Sequence, residues 1–223
     1  SLIESGTFLA ILFGQIIGAI MVGGGIYTVI AITVLVAAVG TYTSMYMPAT
    51  PPQDPSQKIQ LNIWGSTRDL LKKAATITPI KTSIVGISWF WLVGSIYTTQ
   101  LSTFAKHYLG DSEALFSVLL AMFSIGIGIG SILCAKISHN RLNLRLVLVG
   151  ASGMAVVGVL LAIYTFGLPP ANPNTTVWQF LATGEHYYLL GLLVLIGFFG
   201  GFFSVPLYTW LQTSSSDSFR AQA

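Results

Sequence analysis

Residues 187–211 read YYLLGLLVLIGFFGGFFSVPLYTWL, a run without one charged side chain. A bilayer hydrocarbon core about 30 Å thick is crossed by about 20 apolar helical residues. This run is long enough, and its apolar residues are continuous instead of alternating as in a barrel strand. Lipid offers no partner to backbone N–H and C=O groups, so such a segment crosses as a helix. Five further stretches fit the same description: Thr7 to about Val22, Ile26 to Met47, Ser83 to about Phe104, Ala114 to about Ile137 and Leu142 to about Phe166. The expected fold class is all-α integral membrane with six transmembrane helices. Gly23, Gly24 and Gly25 leave almost no loop between the first two, which should form a tight antiparallel hairpin.

Composition agrees. The 223 residues are 53% hydrophobic and only 8% charged, with a mean hydropathy of +0.76. Soluble domains carry about 25% charged residues, and this chain lacks the charge to cover a surface in water. That excludes an ordinary soluble enzyme, a disordered tail and a nucleic-acid partner; the lipid bilayer is the expected surroundings. The single cysteine, Cys134, excludes an internal disulfide and reads as a buried, inert thiol. The chain starts at Ser1 without an initiator Met and reads as a piece of a longer protein.

Charge position sets the expected orientation. Lys58, Arg68, Lys72, Lys73, Lys81, Lys136, Arg141, Arg145 and Arg220 fall on one side of the six spans. Lys106 alone falls on the other, with Asp111, Glu113 and Glu185. The positive-inside rule places the basic side, and both ends of the chain, in the cytoplasm. The expected organisation is two helices over 1–47, a cytoplasmic connector over 48–82 and four helices over 83–223. The connector opens with the extended Pro48–Pro52 stretch and continues into a short amphipathic helix. Ser66 is its expected cap, with Asp69 as capping-box partner. Trp64, Leu70 and Leu71 would dip into the membrane interface while Lys72 and Lys73 meet lipid phosphates. A plain linker helix and a lipid sensor both fit.

Small residues crowd the spans, as in Gly14-x-x-x-Gly18, Gly126-x-x-x-Gly130 and Gly200-Gly201. Such residues let membrane helices approach closely, either as static packing or as faces that slide. Polar groups within the spans are uncharged. Tyr97, Gln100 and Thr103 recur every three residues and share one helix face, with Trp89 on the same helix and Lys106 at its outer end. Ser204, Tyr208 and Gln212 recur every four residues around Pro206, which removes a helix hydrogen bond. Gln15 is the one amide of the first span. These nine side chains, from Gln15 to Gln212, are candidates for lining a substrate cavity; polar contact between helices is the alternative. Lys106 would draw a lipid phosphate or simply snorkel to the headgroups. No Asp or Glu lies within the spans away from their ends, so no proton relay is visible. His107, His139 and His186 are scattered, and no metal or other cofactor is expected.

The whole pattern resembles the major facilitator superfamily, and within it the lysophospholipid transporter family. Ile3–Ala10 with Gly14 is similar to the start of that family's fifth helix. Gly86–Trp91 with Gly94 is similar to its seventh, Phe123–Ser131 to its eighth, and Gly200–Tyr208 with Leu211 and Gln212 to its tenth. The resemblance implies a partial major facilitator fold holding helices five to ten of twelve, with the other helices of the same protein as partners. It implies a bacterial inner-membrane protein that moves lysophospholipid by alternating access to the cytoplasmic face for re-acylation. The similarity is greatest to forms fused to acyltransferase and acyl-carrier-protein synthetase domains, neither of which is in this chain. In the superfamily's cytoplasmic loop signature a basic cluster accompanies an acid. Lys136, Arg141 and Arg145 supply the bases here, but residues 130–145 hold no acid, so a locking ion pair within the turn is in doubt.

This chain is not expected to be an enzyme. His107 and Asp111 are spaced by four, one short of the glycerolipid acyltransferase signature, and no nucleophile–base pair appears. Asn174-Thr175-Thr176 fits a glycosylation acceptor, but a bacterial external loop would carry no sugar. Two other functions remain open: a membrane anchor and docking platform for acyl-transfer enzymes, and a transporter of another amphiphile.

Overall fold

The computed structural model describes residues 25–47, 63–110, 113–139, 141–169, 176–182, 184 and 186–215, with positions 6–7, 10–11, 13–14, 17–18 and 21. The described residues form helices and connecting turns. They are α1 (Ile26–Ser44), α2 (Ile63–Thr76), α3 (Thr78–Phe104), α4 (Glu113–Ile137), α5 (Arg145–Phe166), α6 (Val177–Ala182) and α7 (Tyr187–Ser214). A π-helical turn, Ala105–Leu109, prolongs α3. Five of these helices, α1, α3, α4, α5 and α7, are long and apolar enough to cross a membrane. The expected first span lies mostly outside the described residues; its described positions between 6 and 21 are helical.

The limits differ from expectation where local chemistry favours another boundary. The third span begins at Thr78, before Ser83, because Pro79 sits at the start of α3, where its missing N–H costs nothing. Ile80 is thereby buried inside the bundle, not left in the connector, and Ser83 is buried with it. The connector helix starts at Ile63, so Ser66 lies within it and the capping role expected of that residue falls away. A cap must precede the helix, and once a helix is nucleated each further residue adds a hydrogen bond. The last span runs on to Ser214 with Pro206 inside it.

α7 is the central post, with buried residues from Leu189 to Leu207. At one end, Leu101, Ala105 and Leu109 of α3 meet Leu115 and Leu119 of α4, Phe180 of α6 and Leu189 and Leu193 of α7. Mid-depth, Phe90, Ile127, Phe203 and Leu207 form a second cluster. Near the other end, Cys134 is fully buried with Leu146, Phe202 and Val205, as expected of an inert thiol. Beyond it, Ala74 of α2 packs with Ile80 of α3, and Leu211 of α7 joins them. These clusters place the start of α3 beside the end of α7, as alternating spans require. Arg68, Lys72, Lys73, Lys81, Lys136, Arg141 and Arg145 therefore share one end of the bundle and Lys106 the other; all are exposed. Lys58 and Arg220 lie outside the described residues.

Glycine sets how closely the helices pack. Gly126 and Gly130 of α4 oppose Gly197 and Gly201 of α7, backbone against backbone. A Cβ at Gly126 would strike the Val194 carbonyl, at Gly130 the Phe198 carbonyl, and at Gly201 the Ser131 N–H at 2.5 Å. A Cβ at Gly150 of α5 would stand 2.5 Å from the Phe203 nitrogen, and one at Gly200 would stand 3.1 Å from the Phe90 ring. Gly14 and Gly18 differ, since a Cβ there meets nothing within 4 Å. α1 also buries no residue. The close-approach reading thus holds for Gly126, Gly130, Gly150, Gly197, Gly200 and Gly201, while Gly14, Gly18, Gly128 and Gly191 have open space where a Cβ would stand.

Candidate functional site

The clearest concavity lies between α3, α5 and the start of α7. It is a crevice of about 350 Å3 lined by Tyr97, Gln100, Leu101, Thr103, Phe104 and Tyr108 of α3 and its π-turn, by Gly158, Leu161, Ala162 and Thr165 of α5, and by Leu189 of α7. Three of the expected cavity residues, Tyr97, Gln100 and Thr103, are thus brought together by their three-residue spacing. Gly158 makes room for Tyr97: a Cβ there would lie 3.2 Å from the phenol oxygen. The Tyr97 ring is held in place by stacking on Phe123, centroids 6.2 Å apart. The π-turn packs Tyr108 over Phe104, centroids 5.2 Å apart, and supplies both to the wall. Lys106 is exposed on that same turn, between them.

The lining is amphiphilic and carries no charged side chain. Thr165 donates its hydroxyl to the Leu161 carbonyl at 2.9 Å, and Thr103 donates to the Thr99 carbonyl at 3.4 Å. Each such hydroxyl has spent its donor and still presents acceptor lone pairs. The Gln100 amide adds donors and an acceptor, beside the apolar surface of Leu101, Phe104, Leu161 and Leu189. The arrangement suits a molecule with a polar head and an apolar chain.

The remaining candidates fall elsewhere, so the expected set does not form one cavity. Trp89 is 59% exposed and outside the crevice lining; eleven residues, or three turns, before Gln100, it is on the same side of α3 but about 16 Å further along the helix. Ser204 is buried in the middle of α7, and its hydroxyl oxygen has no hydrogen-bond partner. Gln212 is exposed near the helix end. Tyr208 joins a different contact, accepting a hydrogen bond from the Trp91 indole N–H at 2.9 Å. Four-residue spacing gave these three a shared face in sequence, but the depth of α7 within the bundle changes along its length and separates them. Gln15 lies outside the described residues. The sequence reading missed Trp91, Tyr108, Gly158 and Thr165; only Trp91 had a signal, since an indole N–H within a span needs an acceptor.

At the basic end, Lys136 lies in the last turn of α4 and Arg145 begins α5. Arg141 borders a surface hollow of about 560 Å3 with His139 and Asn143. His139 adopts φ 49°, and the Asn143 side-chain oxygen accepts the Arg145 backbone N–H at 3.2 Å.

A family model described as Major Facilitator Superfamily matches residues 1–223. The chain belongs to the major facilitator superfamily. Its five described membrane-crossing helices are those of a multi-pass membrane protein. It is 28% identical to the lysophospholipid transporter LplT of Enterobacter sp. (strain 638), over 95% of this chain and 49% of that protein. It is 27% identical to the proteins of the same name in Klebsiella pneumoniae (strain 342) and Escherichia coli O157:H7 (strain EC4115 / EHEC), in each case over 97% of this chain and 50% of the relative. The chain spans about half the length of these superfamily relatives. No solved structure matches it.

Proposed function

We propose that this chain is part of a lysophospholipid transporter. Residues 1–47 would be the last two helices of an N-terminal bundle and 83–223 the first four helices of a C-terminal bundle. The two would alternate access around the substrate and deliver it to the cytoplasmic face of the inner membrane for re-acylation. Superfamily membership and the similarity to the named transporters support the class.

The observation that carries the substrate reading is the amphiphilic crevice. A lysophospholipid has one acyl chain and a head rich in hydrogen-bonding groups. Leu101, Phe104, Leu161 and Leu189 offer surface to the chain, and Gln100, Thr103, Tyr97 and Thr165 offer partners to the head. Exposed Lys106 stands on the turn that forms the wall and would attract the phosphate.

The test is uptake of labelled lysophosphatidylethanolamine by vesicles containing the complete transporter. Gln100→Leu with Thr103→Val removes polar partners without adding bulk. Loss of two hydrogen bonds of about 1 kcal/mol each should weaken binding roughly tenfold or more, seen as a raised half-saturation concentration. Unchanged half-saturation would end the crevice assignment. Absence of lysolipid uptake by the unaltered protein would end the substrate assignment.

A further inference from the structure

α2 presents two faces with different chemistry. Leu70 and Ala74 pack against Ile80 and Ile84 of α3 and Leu211 of α7, which fixes the helix to the basic end of the bundle. Trp64 and Leu71, seven residues apart and so nearly aligned on a 3.6-residue helix, are 87% and 56% exposed. Ala75 continues that stripe and is also exposed. On a 3.6-residue helix the stripe lies about a quarter-turn or more round from the packed face. Arg68 and Lys72 border it on the side away from the packed face, Lys73 lies half a turn from Trp64 on the opposite side of the helix, and all three are exposed.

The start of α3 sets the level of this helix. Only Ile77 separates the end of α2 from the first residue of α3, a membrane-crossing helix. The C-terminal half of α2, with Leu71 and Ala75, is therefore held near the headgroup layer, where an exposed Leu is at home and where cations find phosphates. In water the same stripe would leave a large apolar surface uncovered next to a cluster of positive charge. The pairing of an apolar stripe with flanking cations matches the chemistry of an anionic bilayer surface.

We propose that α2 is a binding foot for anionic phospholipid in the adjoining leaflet. Trp64 and Leu71 insert between headgroups, and Arg68 and Lys72 engage the phosphates. The foot also has mechanical reach. Leu70 and Ala74 bind the ends of α3 and α7, the two helices joined by the Trp91–Tyr208 hydrogen bond. Anionic lipid drawn onto the foot thus steadies the relative position of those helices. This inference does not depend on which amphiphile is carried.

The experiment uses the full chain with Cys134→Ala and Leu71→Cys, labelled with an environment-sensitive fluorophore. It is reconstituted in phosphatidylcholine vesicles and in vesicles of equal parts phosphatidylcholine and phosphatidylglycerol. The probe should shift to the blue, and be quenched by spin-labelled lipid, far more strongly in the mixed vesicles. Each cation near an anionic surface is worth about a fivefold change in partitioning. Adding Arg68→Gln and Lys72→Gln, both at exposed positions, should therefore reduce inserted over uninserted probe by on the order of twentyfold. Circular dichroism should show helix content unchanged in that variant. A probe equally wet in both vesicles overturns the proposal. So does a probe equally dry in both, which would mean that protein or neutral lipid covers the stripe. Phosphatidylglycerol dependence that survives the double substitution overturns it as well.

Discussion

Trp91 and Tyr208 are a test of what a polar contact between two membrane-crossing helices is worth. The indole N–H of Trp91 finds the Tyr208 oxygen at 2.9 Å, and Phe90 meets the indole edge-on, centroids 5.9 Å apart. Trp91→Phe removes the donor and part of the ring; Tyr208→Phe removes the acceptor and leaves the indole without this partner. Interhelical hydrogen bonds in membrane proteins are worth about 0.6 to 2 kcal/mol. Each single substitution should lower thermal stability in detergent by roughly that much, and the double substitution by less than the sum, because both remove one interaction. Strict additivity would show that the bond contributes nothing. Gly158 is a second single-residue test. Its missing Cβ leaves 3.2 Å to the Tyr97 oxygen, so Gly158→Ala should displace the phenol and narrow the crevice, with a cost of about 1 to 3 kcal/mol if Tyr97 cannot yield. The readout is the same unfolding measurement, with ligand binding alongside it.

Among helices, the decisive contact is α4 against α7. Gly126 and Gly130 are separated by one turn, as are Gly197 and Gly201, so each pair forms a flat strip on one face. The two strips meet, and the backbone of each helix occupies the space a side chain would need. Gly128 stands between Gly126 and Gly130 in sequence but points elsewhere, with nothing within 4 Å of its would-be Cβ. Gly130→Val should therefore force the helices apart and cost at least about 3 kcal/mol, the upper end of ordinary overpacking. Gly128→Ala should be neutral or stabilising by up to about 1 kcal/mol through helix propensity. Folded yield and unfolding temperature in detergent separate the two, and equal behaviour would refute the assignment of faces. The four-residue spacing within α4 was readable from sequence. Its partner was not, because nothing in one helix's periodicity says which other helix supplies the matching strip. Helix ends were blurred for a related reason. Thr78, not Ser83, begins α3 because Pro79 and the buried contacts of Ile80 act together, and only the first of these is a local signal.

For the molecule as a whole, the sequence carried the architecture more faithfully than the site. Membrane-crossing helices are legible because lipid demands long, continuous apolar runs, and the runs ending at Ile137, Phe166 and past Leu211 all appear as such. The crevice was only half legible. Tyr97, Gln100 and Thr103 share a face by periodicity, but Gly158, Thr165 and Tyr108 join them because α3 and α5 both pack against α7 and because of a π-turn, neither of which has a period. Charge gives the remaining global property, orientation. Arg68, Lys72, Lys73, Lys81, Lys136, Arg141 and Arg145 cluster at one end of the bundle, and Lys106 stands alone at the other. During insertion an excess of Lys and Arg near span ends is retained on the cytoplasmic side. The basic end should therefore face the cytoplasm in the inner membrane. Its test is labelling of single cysteines, in a Cys134→Ala background, by a maleimide that cannot cross the inner membrane. Lys106→Cys should react in intact cells whose outer barrier is permeable to the reagent. Arg141→Cys should react only after the inner membrane is opened. Both residues are exposed, so burial does not confuse the result. The reverse pattern would invert the topology and place the foot helix α2 against the outer leaflet. It would also put the Lys106 turn, and the crevice it walls, on the cytoplasmic side.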